Sequence, residues 1–128
     1  LVTFELEDTP DPVTGFAHAC KEGFKKAWEV CDHFHHATIF QEGDPLLDAV
    51  LDVYKKAGIN NDAEHCVPLK KIDHPLLWSY PEYRICVSKK VTTCENWCEI
   101  LYELLKDKMP IKKITFRSSS MNCASKEF

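Results

Sequence analysis

The chain has 128 residues, 45% apolar and 28% charged, with three Trp, four Tyr and seven Phe. At this length about two-thirds of the unfolded surface can be buried, and the composition excludes the disordered and fibrous classes. A net charge of −4 with both signs interspersed argues against nucleic acid or an anionic membrane as the main partner, because phosphate binding needs a basic face.

The first segment, Val2-Thr3-Phe4-Glu5-Leu6-Glu7, alternates with period two and predicts a strand that buries Val2, Phe4 and Leu6. Asp11-Pro12 combines an N-cap with a proline suited to a first helical position. Phe16, Cys20, Phe24, Ala27 and Cys31 then form a stripe at steps of three and four, which predicts a helix despite Gly15 and Gly23. Residues 35–40 are rich in β-branched and aromatic side chains, predicting a short strand that ends at Gly43.

Asp44-Pro45 repeats the cap-plus-proline start. Leu47, Val50, Leu51 and Tyr54 supply the apolar stripe of a second helix, and Gly58 its C-terminal stop. Asn60-Asn61-Asp62 is a polar turn, and 66–90 reads as extended segments with Pro81-Glu82 turning a hairpin. Thr92-Thr93-Cys94-Glu95 fits a capping box that opens a third helix. Trp97, Cys98, Leu101, Leu104, Leu105 and Met109 form its buried face, and Pro110 stops it. Ile114 and Phe116 alternate with charged and polar residues in a last strand, and 118–128 reads as a C-terminal tail.

The order β-α-β-α-β-β-α-β predicts a single α+β domain over 1–128, with three helices beside a mainly antiparallel sheet of about 4–5 strands. No run approaches the roughly 18–20 apolar residues of a membrane span. The five Lys-Lys pairs, from Lys25-Lys26 to Lys112-Lys113, read as solvated faces of separate elements.

Seven cysteines and a first residue that is not Met lean toward a secreted or otherwise oxidising compartment, with a cytoplasmic origin retained. Cys20 and Cys31 are roughly 16 Å apart along one helix at ~1.5 Å per residue, and Cys94 and Cys98 are separated by one turn. Neither pair suits a local bridge. The cysteines therefore either tie separate elements together by disulfides, the reading preferred here, or serve as small buried apolar groups.

The densest set of reactive groups is Cys31, His33, His35 and His36, whose thiol and imidazoles are ligands for zinc or copper; His65-Cys66 or His74 would complete the site. The spacing matches none of the paired patterns of established zinc sites. A nucleophilic enzyme is disfavoured: His65 and Cys66 are adjacent, so in a strand they point to opposite faces, and no Gly-x-Ser-x-Gly elbow occurs. Phosphate-cradling and calcium-binding loops are also absent.

Trp78, Tyr80 and Tyr83, clustered around the Pro81-Glu82 turn, and Trp28 beside the first helical stripe have apolar bodies with polar tips. Such residues at a turn suit a binding surface. The leading expectation is a non-catalytic binding protein that engages a protein partner or a small apolar ligand through this aromatic turn and the adjoining sheet, with no cofactor. The alternatives are a zinc or copper protein centred on Cys31–His36 and a structural subunit of a larger assembly.

Overall fold

The alternation of Val2, Phe4 and Leu6 with Thr3 and Glu5 produces β1 (Val2–Leu6), whose apolar positions are half-buried and whose polar positions are exposed. The computed structural model describes residues 1–14, 20–32, 34, 37–58 and 71–128. In chain order the remaining elements are α1 (Cys20–Asp32), β2 (Thr38–Gln41), α2 (Pro45–Ala57), β3 (Asp73–His74), β4 (Leu77–Tyr80), β5 (Ile85–Ser88), α3 (Cys94–Leu105), β6 (Ile111–Arg117) and β7 (Cys123–Glu127). A single 3-10 turn, Pro81–Tyr83, joins β4 to β5.

The α+β class, the three helices and the mostly antiparallel pairing are those the sequence predicts. The strands fall into two sheets, ordered β1-β6-β7 and β2-β5-β4-β3, where one sheet was expected. The chain correspondingly divides into two compact units, Leu1–Trp28 with Thr93–Phe128, and Glu29–Thr92.

In the first unit, β6 is the central strand, antiparallel to both β1 and β7. Helix α3 lies on one face of this sheet. Trp97 stacks on Phe116 with centroids 5.9 Å apart, and Tyr102 stacks on Phe128 at 3.9 Å. Glu99 is ion-paired with Lys126. Cys98, fully buried, donates its thiol toward the carbonyls of Ile114 and Ala124 at 3.6 Å. Leu101, Leu105, Met109 and Ile114 are buried in the same unit.

Residues 118–128, expected as a tail, contain β7. Ser119 Oγ accepts from the amides of Met121 and Asn122, which closes the turn that sets Cys123 opposite Arg117. The strand Cys-Ala-Ser-Lys-Glu has no β-branched or aromatic residue to announce it; pairing with β6 and the contacts with α3 hold it in place.

Two further expectations each change by one residue. Among the described side chains of α1, Gly23, Ala27 and Val30 are buried and Cys31 is half-buried, so Ala27 holds its place in the predicted stripe, whereas Phe24 is 54% exposed and Gly23 takes the buried position beside it. A Cβ at Gly23 would lie 2.5 Å from Met109 Cγ and 2.9 Å from the Lys108 carbonyl oxygen. The glycine permits a backbone approach that no side chain would. In α3 the N-cap is Thr93, whose hydroxyl accepts from the Asn96 amide at 3.3 Å, one residue later than the capping box predicts. Asp11 caps a turn at 12–14, its carboxylate accepting from Val13 and Thr14 at 2.7 Å, and the expected helical residues 15–19 lie outside the described residues.

The second unit is built on α2 and the four-stranded sheet. Asp44 caps α2 through the Leu46 amide at 2.9 Å, Pro45 opens it, and Gly58 ends it in the left-handed conformation at φ 64°. All three match the sequence. Leu47 and Leu51 pack with Ile85 and Val87 of β5, and Phe40, Val50, Tyr54, Trp78, Tyr80 and Tyr83 surround this cluster. Strand β5 is parallel to β2 and antiparallel to β4, and all four of its residues are buried. Burying side chains of this size contributes about 1.5–3 kcal/mol each.

Candidate functional site

The side chains of β4 alternate between the two faces of the four-stranded sheet. Leu77 and Ser79 are buried on one face, and Trp78 and Tyr80 are half-buried on the other. Trp78 pairs with Val87 and Tyr80 with Ile85, so both aromatic residues share a face with the core cluster beneath α2. On the other side of β4, Asp73 pairs with Trp78. The Ser79 amide donates to the Ile72 carbonyl at 3.0 Å, and the Ile72 amide donates to Ser79 Oγ at 2.8 Å. These bonds carry the ladder one residue beyond β3, which sets Lys71 opposite Tyr80. The register thus gathers Lys71, Asp73, Trp78 and Tyr80 on one face, and a cavity of about 330 Å³ is lined by Lys71, Asp73 and residues 78–82.

The far wall of this cavity is the 3-10 turn. Pro81 fixes its first dihedral, the Arg84 amide donates to the Pro81 carbonyl at 3.1 Å, and Arg84 takes a left-handed conformation at φ 50°. A non-glycine residue there costs about 1–2 kcal/mol, so the turn is held by its surroundings. Tyr83 leaves the cavity and meets Tyr54 of α2, ring centroids 5.5 Å apart and planes at 59°. Tyr54 in turn lines a shallow apolar groove of about 250 Å³ with Ala49, Val50 and Val53.

Of the four aromatic residues expected to bind, Trp78 and Tyr80 therefore line one cavity, and Tyr83 braces its turn against α2. Trp28, 75% exposed on α1, belongs to the first unit and does not line the cavity. Lys71, Asp73 and Glu82 are not among the binding residues the sequence suggests, although Glu82 belongs to the turn it predicts. Asp73 and Lys71 join the site through cross-strand register, which depends on pairing between segments and has no local signal. Among the described residues neither Asp73 nor Glu82 has an ion-pair partner.

The metal candidates divide differently. Cys31 is half-buried in the last turn of α1, where burial pushes its thiol up from the ordinary range. His33, His35, His36, His65 and Cys66 lie outside the described residues. His74 accepts from the Leu76 amide through Nδ1 at 3.1 Å. Among the described residues no three His, Cys, Asp or Glu side chains gather in a way that would hold a metal ion.

Cys31, Cys86, Cys94, Cys98 and Cys123 form no disulfide, so the staples expected from the sequence are not made among the described residues. Cys86 and Cys98 instead fill core positions as small apolar groups, and burial pushes the Cys86 thiol up to about 12. No helix among the described residues is long and apolar enough to cross a membrane. Comparison with protein-family models, curated proteins and solved structures found no match for this chain.

Proposed function

We propose that this chain is a non-catalytic binding protein whose ligand enters the cavity beside β4, between Trp78, Tyr80 and the Pro81–Tyr83 turn. One observation carries the reading: two half-buried aromatic side chains line a single cavity together with charged residues, on a turn braced by Tyr83 against Tyr54. Ligand sites combine apolar walls with convergent polar groups in a volume of about 300–1,000 Å³; here the wall is shared between Trp78, Tyr80 and Pro81 and the polar side chains of Lys71, Asp73, Ser79 and Glu82. The partner is a protein side chain or a small molecule with an apolar body. The reading is tested with 5-fluorotryptophan-labelled protein screened by ¹⁹F spectroscopy against a library of small fragments. Binding fragments are expected to move the Trp78 resonance and leave Trp97 unmoved; a screen in which fragments move only the Trp28 resonance, or none, rejects the site.

A second reading, a subunit of a larger assembly, draws on apolar side chains left in solvent: Phe24 and Trp28 on α1, and Leu46 and Val53 on α2. Patches of this kind mark association surfaces when they are contiguous. It predicts a mass that rises with concentration in sedimentation equilibrium, and a monomer at all concentrations removes self-assembly.

A further inference from the structure

We infer that the cavity beside β4 is a receptor for a methylated ammonium group, held between the rings of Trp78 and Tyr80 and balanced by the carboxylates of Asp73 and Glu82. The inference rests on the binding reading above and names the ligand class. Three features of the site lead to it.

The first is the rings. Trp78 and Tyr80 occupy alternate positions of one strand, so their side chains leave the same face ~6.6 Å apart at ~3.3 Å per residue. A cation seated between them lies within the ~6 Å at which a ring face attracts it. The ring face is the negative part of the aromatic quadrupole, so it favours a cation over an anion.

The second is the charge. Asp73 and Glu82 place two carboxylates on the cavity wall against the single ammonium of Lys71. An anionic ligand would meet two like charges. Lys71 is exposed on the outermost pair of the ladder, and its long stem lets its charge stay in water while the rest of the cavity is occupied.

The third is size and hydration. A cavity of about 330 Å³ is near the lower end for ligand pockets and suits a head group rather than an extended molecule. A bare ammonium is strongly hydrated and loses much on leaving water, whereas methyl groups spread the charge and add apolar surface that the rings of Trp78 and Tyr80 cover. The cavity therefore favours the methylated cation over an unmodified lysine.

Two sources supply this chemistry, a small quaternary amine and a trimethylated lysine side chain. The test is isothermal titration calorimetry of the full chain with choline, with 3,3-dimethylbutan-1-ol, which has the same shape without the charge, and with the N-acetyl methylamide of trimethyllysine. At least one of the two cations is expected to bind about tenfold or more tighter than the neutral alcohol. The tighter of the two identifies a small-molecule or a protein source. Asp73→Asn and Glu82→Gln are each expected to weaken the cation about two- to fivefold while the thermal midpoint stays within about 3 °C.

Equal binding of the alcohol and the cations overturns the charge inference and leaves the cavity as a neutral apolar site. Failure of all three probes, with fluorine-detected fragments still moving Trp78, also overturns it while the binding reading stands. Failure of both experiments rejects the two together.

Discussion

The two sheets use their faces differently. In the first unit, β1 alternates half-buried and exposed residues, and the outer face of its sheet is polar, with Glu5 bridged to Lys113 at 3.1 Å and Thr115 hydrogen-bonded to Ser125 at 2.8 Å. In the second, β5 is buried at every position, and its one polar side chain is satisfied locally: Ser88 Oγ donates to the Lys90 carbonyl at 2.7 Å and accepts from the Lys90 amide. A sheet with one committed face tolerates charge on the other. A strand buried on both sides does not. The candidate cavity lies on the second kind of sheet, where Trp78 and Tyr80 extend the face that α2 covers.

The sharpest way to break this contrast is to place a charge on each sheet. Cys86→Asp is expected to cost more than about 3 kcal/mol, because burial disfavours the charged carboxylate, while Thr115→Asp on the outer face of β6 stays within about 1 kcal/mol. Denaturant unfolding of both variants measures the difference, and similar costs would mean that β5 is not buried on both sides. Next in size is Gly23→Ala, whose new methyl meets Met109 and the Lys108 carbonyl; a loss of about 1–3 kcal/mol is expected in the same assay. An unchanged midpoint would show that α1 stands further from this segment.

A smaller effect comes from the Cys86 thiol. Its folded value of about 12 lies above the ordinary 9.0, so the folded state keeps the proton longer than the unfolded chain. The corresponding stability is complete below about pH 9 and is lost as pH rises toward 12, at about 1.4 kcal/mol per pH unit. Wild-type protein should therefore lose about 1 kcal/mol more than Cys86→Ala between pH 8 and pH 10, and parallel losses would place the thiol in contact with water. Smallest is the α3 cap: Thr93→Ala should cost about 1 kcal/mol and Thr92→Ala less than about 0.5 kcal/mol, with the reverse order returning the cap to the capping-box position.

Local chemistry explains which parts of the fold were legible. Asp44, Pro45 and Gly58 bound α2 because capping depends on residues a few positions apart, and the alternation of β1 is visible for the same reason. In α1, Ala27 is buried as its periodicity predicts, but Phe24 is not, because apolar periodicity gives weight to Phe24 and none to Gly23, although close packing at Met109 makes the glycine the buried position. Strand β7 has no periodic signal of its own, and its pairing with β6 is a long-range property. At the site, Trp78 and Tyr80 were recognisable from their spacing and neighbouring proline. Lys71 and Asp73 were not, because only the β3–β4 register brings them across from the rings.

The most direct measurement is a set of intermolecular nuclear Overhauser effects between the N-methyl protons of the tighter-binding cation, choline or the trimethyllysine derivative, and the aromatic protons of the wild-type chain. Contacts to the rings of both Trp78 and Tyr80 are predicted, with none to Phe24 or Trp28. Contacts to Phe24 and Trp28 in place of Trp78 and Tyr80 would contradict the account.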